Sequence, residues 1–234
     1  GTQNATFAAV GDFDETQLRK IITDEFGTWK AQKPFSRIVS EYKSIPAGTQ
    51  SLQTPDKANA MLFAGYNLPI RDDDPDYPAM VLANYIIGGG FLNSRLATRV
   101  RQKEGLSYGV GSSFSCGTLD RIGSFGVYAI CAPQNVAKVQ KSIVEELQKA
   151  VAQGFTQEEL DKARTGYLQA REGARSDNGK VSSTLIRYQF VGRRYLWDED
   201  YEKKVRALKP EDLQRAIKKQ LQISRLSFFK SGDL

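Results

Sequence analysis

Three consecutive glycines, Gly88–Gly90, interrupt an otherwise apolar, helix-patterned stretch, and no other feature of this chain restricts its folding as tightly. Residues without a Cβ permit backbone turns and close approaches that side chains would block. Upstream, Pro78 falls in the first turn of a predicted helix that runs to about Ile87, where the glycines stop it. Downstream, Ser94 to Lys103 reads as a second, cationic helix, and Gly105 then lets the chain turn into a strand that opens at Ser107. The segment "GGGFLNSRLATRVRQKEGLSYGVGSSF" therefore predicts a glycine turn, a helix, a second glycine and a strand in immediate succession.

Two side chains in that segment carry chemistry. Arg101 offers a planar fork of donors suited to a carbonyl or carboxylate. Tyr108 offers one hydroxyl on a rigid ring, able to donate to a developing oxyanion. A helix end followed by a strand start can point both at one spot. Such a pair gives electrophilic help without a nucleophile or a base. On residue chemistry alone the plain reading remains a solvated arginine at a helix C-terminus and an ordinary strand tyrosine.

What the chain lacks narrows the field further. It contains no histidine and two cysteines, Cys116 and Cys131. Structural zinc needs three or four Cys, His or carboxylate ligands, so two cysteines alone cannot supply such a site. Ser-His and Cys-His catalytic pairs are excluded outright. The cysteines fall on two predicted strands, Ser107–Cys116 and Arg121–Cys131, joined by a turn. A regular hairpin sets Cys116 opposite residues 122–124 and Cys131 near Tyr108, too far apart to bond, so two buried thiols are expected rather than a disulfide.

The net charge is +6, and residues 181–234 hold 12 Lys/Arg against 7 Asp/Glu. Lys203, Lys204, Lys218 and Lys219 alternate with apolar residues at helical spacing, which reads as a solvated face. A basic module for nucleic acid or anionic lipid would rest on that charge alone. No Gly-rich phosphate loop, aromatic stacking platform or nucleic-acid motif accompanies it. No apolar run approaches the roughly 18–20 residues of a membrane-spanning helix. Neither nucleic acid nor membrane is an expected partner.

Elsewhere, "NATFAAVGDFDETQLRKIITDEFGTWK" predicts a strand, a Gly-Asp turn and a helix capped by Asp14 with Gln17, its apolar face formed by Leu18, Ile21, Ile22 and Phe26. Residues 31–56, rich in Pro, Ser, Gly and Gln, read as a linker with a weak strand around Ser36–Tyr42. "ANAMLFAGYNLPI" reads as a strand, and a long helix is expected from about Gln134 to Ala152. Thr156 with Glu159 caps a further helix, and shorter helices lead to a last strand, "ISRLSFFK". "ATFAAVGDF" at 5–13 and "LSFFKSGDL" at 226–234 align without gaps, sharing Phe, Gly and Asp at a spacing of 221 residues. That spacing suggests two homologous units in a longer parent. Residues 1–30 would close a preceding unit, 31–56 would link, and 57–234 would form the second unit. The first strand would then fill an edge of this unit's sheet or exchange with a neighbouring molecule as a homodimer.

The segment Gly88–Gly90, Ser94-Arg95-Leu96 and Arg101 to Tyr108 resembles the signature of the second half of the insulinase/pitrilysin-type zinc peptidases, which include the mitochondrial processing peptidases. "NATFAAVGDFD", "ANAMLFAGYNLPIRDDDPDYPAM" and "GFTQEELDKARTGYLQA" resemble further family segments in consistent order. The resemblance implies an α/β (α+β) unit, a two-layer, mostly antiparallel mixed sheet with helices on one face. It implies zinc on an inverted H-x-x-E-H helix of another half or partner chain, which this chain lacks. Arg101 and Tyr108 would contact peptide substrate beside that zinc, Gly88, Gly89 and Gly90 would line its path, and Arg95 would be structural. By itself the chain is expected not to hydrolyse peptides. The family's alternative is a scaffold subunit that has lost catalysis. The resemblance alone points toward a bacterial periplasm.

Overall fold

In the computed structural model, residues 5–234 are described. Five strands, β1 (Thr49–Gln53), β2 (Ala60–Leu68), β3 (Ser107–Cys116), β4 (Gly123–Cys131) and β5 (Ser227–Gly232), form one sheet in the order β1-β5-β2-β4-β3. β1 runs parallel to β5, and the remaining neighbours are antiparallel. The chain divides into two compact units, one of residues 40–168 with 201–234 and one of residues 5–39 with 169–200. The sheet belongs wholly to the first of these.

The expected mixed sheet with helices on one face is what forms. Residues alternate across β2, so that Ala60, Leu62, Ala64, Tyr66 and Leu68 are buried while Met61 and Phe63 are not. Helix α2 (Tyr77–Asn84) packs on β3, α3 (Val136–Gln153) on β2 and β4, and α7 (Pro210–Gln220) on both helices. Met80, Leu82, Val139, Ile143, Leu147, Leu213 and Ile217 fill this layer at 1% exposure or less. Each such side chain contributes about 1.5–3 kcal/mol of burial. On the opposite face Phe229, Phe63 and Tyr128 stand in register across β5, β2 and β4 and remain exposed. Cys116 pairs with Gly123 and Cys131 with Ser107, as expected, and both thiols are free.

The helix caps also follow the sequence. Asp14 Oδ1 accepts from Gln17 N at 2.7 Å ahead of α1 (Glu15–Phe26). Thr156 and Glu159 cap α4 (Gln157–Arg175) reciprocally, Thr156 N donating to Glu159 Oε2 at 2.8 Å and Glu159 N to Thr156 Oγ1 at 3.2 Å. Glu159 also holds Arg95, whose Nε and Nη2 donate to its two oxygens at 2.7 and 2.8 Å. Arg95 Nη2 donates further to Gly154 O at 2.9 Å, and the guanidinium lies 4.8 Å over the Phe155 ring. Arg95 thus ties the signature segment to the start of α4.

Several expectations give way. Residues 36–42 form no strand, and the expected linker instead supplies β1, whose Thr49 pairs with Phe228 and whose Gln53 pairs with Gly232. The place beside β5 is therefore taken by a segment close in sequence to β2, which closes a shorter loop than the first residues of the chain would. Residues 5–10 adopt no regular structure. The helix expected after Asp14 does form, but no residue of its apolar face is buried, Ile21 being 49% and Phe26 52% exposed. In the same unit α5 (Asn178–Val191) is capped by Asp177, and α6 (Leu196–Ala207) begins there before crossing into the sheet unit.

The glycines do not simply end α2. The helix passes into a π-helical turn, Tyr85–Gly89, closed by Gly90 N donating to Tyr85 O at 2.7 Å. A wider turn sets Gly88 directly on β3, where a Cβ would fall 2.3 Å from Ser112 N and 2.6 Å from its Oγ. Ser112 Oγ donates to Asn84 Oδ1 at 2.8 Å, fixing strand and turn together. The predicted cationic helix is also π-helical over Ala97–Lys103.

Gly88→Ala must displace strand backbone, and a loss of about 1–3 kcal/mol is expected in urea unfolding. Glu159→Gln is expected to cost about 2 kcal/mol near neutral pH, as charge-assisted bonds to Arg95 are lost. Burial pushes the Glu159 carboxyl up, but bonds from Arg95 and Thr156 outweigh it and hold the group below its ordinary value. A carboxyl so held stabilises fully above the unfolded value of about 4.3 and loses that contribution as pH falls through the lower folded value. The stability gap between wild type and Glu159→Gln should therefore close in acid, read by unfolding midpoints at neutral and acidic pH.

Candidate functional site

Arg101 occupies the last turn of the π-helix Ala97–Lys103, and Tyr108 follows at the start of β3. The turn between them is closed from both sides. Glu104 N donates to Arg99 O at 3.0 Å, and Leu106 N donates to Val100 O at 2.9 Å. Gly105 takes φ +62°, a conformation costly for residues with a Cβ. The start of β3 is thereby folded back against the turn that carries Arg101.

Charge on this helix is sorted by position. Arg99 pairs with Glu104 at 2.9 Å, with Glu145 and, at 3.8 Å, with Glu146. The hydrogen bonds it donates to Glu145 and Glu104 raise its pKa above the ordinary value. Burial pushes the Glu104 carboxyl up, but bonds from Ser142 Oγ at 2.6 Å and from Arg99 win and hold it below its ordinary value. Arg101, two residues on, is exposed and has no hydrogen-bond or ion-pair partner among the described residues. Its guanidinium donors are available.

Tyr108 is presented by a β-bulge. Ser107 pairs with Cys131 and Gly109 with Ile130, so Tyr108 is the extra residue between two consecutive pairs. The hydroxyl of Ser107 locks the bulge, donating to Ile130 O at 2.6 Å and accepting from Gly109 N at 3.1 Å. Ser107 is buried, while Tyr108 is 57% exposed and its hydroxyl has no hydrogen-bond partner among the described residues. Bulges re-aim side chains in this way next to many active sites.

The three glycines separate in role. Gly88 is buried against Ser112. Gly90 lies against its own turn, a Cβ there falling 2.7 Å from Tyr85 O. Gly89 is exposed. Sequence reading passed over the residue that follows them. Phe91 holds φ +55°, is 73% exposed, and is one of two non-glycine residues with positive φ among those described. Left-handed backbone costs an L-residue about 1–2 kcal/mol. An aromatic side chain directly after a glycine triplet was the available signal.

The donor set does not fit a metal centre. Among the described residues no group of three or more His, Cys, Asp or Glu side chains converges as a metal site. Cys116 and Cys131 lie at different positions along the hairpin, and burial pushes both thiols up, Cys116 to about 12. Nor is any helix among the described residues long and apolar enough to cross a membrane. What the site offers is an exposed guanidinium, an exposed phenol and an exposed aromatic ring along one helix-turn-strand segment.

The family of the peptidase M16 inactive domain matches residues 1–167. An uncharacterized zinc protease of Streptomyces coelicolor is 32% identical over 233 residues, covering 97% of this chain and 50% of that protein. The non-peptidase homolog YmxG of Helicobacter pylori is 24% identical over 231 residues, covering 91% of this chain and 52% of its own length. Among solved structures, a peptidase M16 inactive domain from Pseudomonas fluorescens superposes with a TM-score of 0.80 at 24% identity, covering 96% of this chain and 53% of that one. A protease from Helicobacter pylori gives 0.80 at 19% identity, covering 95% and 53%. The chain spans about half the length of the curated relatives it matches. With a match over more than two thirds of its residues and this fold, the chain belongs to the peptidase M16 inactive-domain family, the non-catalytic half of M16 zinc-protease-like proteins.

Proposed function

We propose that this chain forms the substrate-binding wall of a zinc endopeptidase acting on unfolded peptides, with the metal held by the other half or by a partner chain. One observation carries the reading. In a segment whose neighbouring arginines are tied to Glu159 and to Glu104, Glu145 and Glu146, Arg101 and Tyr108 present unengaged donors on either side of a locked turn. Tyr108 Oη would donate to the scissile carbonyl oxygen as negative charge grows on it, and Arg101 would hold a neighbouring peptide carbonyl. Neither group needs a proton removed to act. The exposed sheet face at Met61, Phe63, Tyr128 and Phe229 supports a unit that works against a second surface.

A second reading, an assembly subunit without catalysis, is favoured by one relative, the non-peptidase homolog YmxG of Helicobacter pylori. The presence of both Arg101 and Tyr108 with free donors speaks for the first reading.

Cleavage of a quenched unfolded peptide by this chain joined to its zinc-bearing half tests the proposal. Tyr108→Phe and Arg101→Ala are each expected to lower kcat/KM by about 10²-fold or more with folding and metal content unchanged. Full activity in both variants would remove them from the site, and absence of turnover in every form would favour the assembly role. Ser107→Ala frees the bulge, and it should lower kcat by about tenfold while leaving the apparent affinity for peptide within twofold. An unchanged kcat would show that the bulge does not position Tyr108.

A further inference from the structure

We infer that Phe91, with Leu92 beside it, reads an apolar side chain of the bound peptide and so sets sequence preference at the site; this rests on the peptide-binding reading above. Arg101 and Tyr108 are suited to backbone carbonyls, which are the same in every peptide. They fix a peptide in place without selecting among sequences. Selection requires a group that meets side chains.

Phe91 is placed at two kinds of cost and is held there by its surroundings. Its backbone is left-handed at φ +55°, where Gly or Asn would sit with less strain, and its ring is 73% exposed to water. Neither folding nor solubility asks for an aromatic there. The conformation is nevertheless fixed. Phe91 O accepts from Ser94 N at 3.2 Å and from Ser94 Oγ at 2.7 Å, and Ser94 is only 1% exposed. On the upstream side Gly90 closes the π-turn onto Tyr85 O. On the downstream side Gln102 Nε2 donates to Leu92 O at 2.9 Å, tying the loop to the residue next to Arg101.

The loop therefore belongs to the same assembly as the exposed guanidinium. It offers two adjacent apolar side chains, Phe91 at 73% and Leu92 at 39% exposure, beside groups that bind backbone. An aromatic ring of this kind takes an aliphatic or aromatic side chain by burial and by edge or offset stacking. The substrate class it selects is unfolded peptide with an apolar residue near the point of cleavage.

The test is equilibrium binding to this chain joined to its other half, freed of metal with EDTA so that no cleavage occurs. Two fluorescein-labelled unfolded peptides, identical except for Phe or Ser at one central position, are titrated by anisotropy. The wild type is expected to favour the Phe peptide about tenfold, the ratio that one aromatic contact brings. Phe91→Asn, which tolerates the left-handed backbone, should bring the ratio within twofold, and Phe91→Leu should keep most of it. Melting temperatures no lower than the wild type's establish that the variants fold. An equal ratio in wild type and Phe91→Asn, or no preference in the wild type, overturns the inference. If both peptides bind but only the Arg101→Ala and Tyr108→Phe variants weaken them, the site reading stands and the role of Phe91 falls. If neither peptide binds the wild type, both fall together.

Discussion

Gly88 and Ser112 meet backbone to backbone, and the arrangement of the sheet unit follows from how closely they approach. A Cβ on Gly88 would sit 2.3 Å from Ser112 N, inside any allowed contact. Because there is none, α2 can run on through a π-turn and lie against β3, with Asn84 and Ser112 bonded across the join at 2.8 Å. The join fixes where the chain leaves the helix, and from that point Phe91, Ser94 and the second π-helix take their places. Ile86 and Ile87, on the same turn, are 6% and 1% exposed and anchor it in the core. Tight packing leaves such a contact few ways to relax.

Electrostatics then divides one short cationic segment into structural and available charge. Arg95 reaches Glu159 and stacks on Phe155, and Arg99 reaches three glutamates across α3 and its own turn. Each acid answers an arginine that faces the protein. Arg101, on the same helix, faces none of them. A buried cation must be paired, whereas an exposed one keeps its donors for solvent or ligand. The segment thus holds tied and free cations side by side.

Much of this was legible from the sequence where local physics dominates. The caps at Asp14 and at Thr156 with Glu159, the alternation along β2 and the hairpin register of Cys116 and Cys131 are short-range signals, and each reads through. β1 was missed because Thr49–Gln53 is polar but for Leu52 and wholly exposed, and it is a strand by virtue of its pairing with β5 alone. The apolar face of α1 was legible, but periodicity reports amphipathicity and not what covers it, and none of its residues is buried. At the site, residue types announced Arg101, Tyr108 and the glycine turn. The bulge at Tyr108, the lock supplied by Ser107 and the left-handed Phe91 depend on how two strands and a loop meet, which no single window encodes.

The π-helix at Ala97–Lys103 gives this segment a tolerance in length. Its winding takes in an extra residue per turn, and Glu104 N reaches back five residues to Arg99 O at 3.0 Å in place of the usual four. Removing one residue between Ser94 and Gly105 would let the segment relax to ordinary α-helical pitch. The wider winding and the missing residue nearly cancel, because a π-turn spends one more residue on the same rotation. Side chains beyond the segment would keep roughly their direction around the axis. Length can therefore vary here by one residue with the flanking structure kept, a tolerance that a run of uniform α-helix, turned by about 100° at each insertion or deletion, would lack.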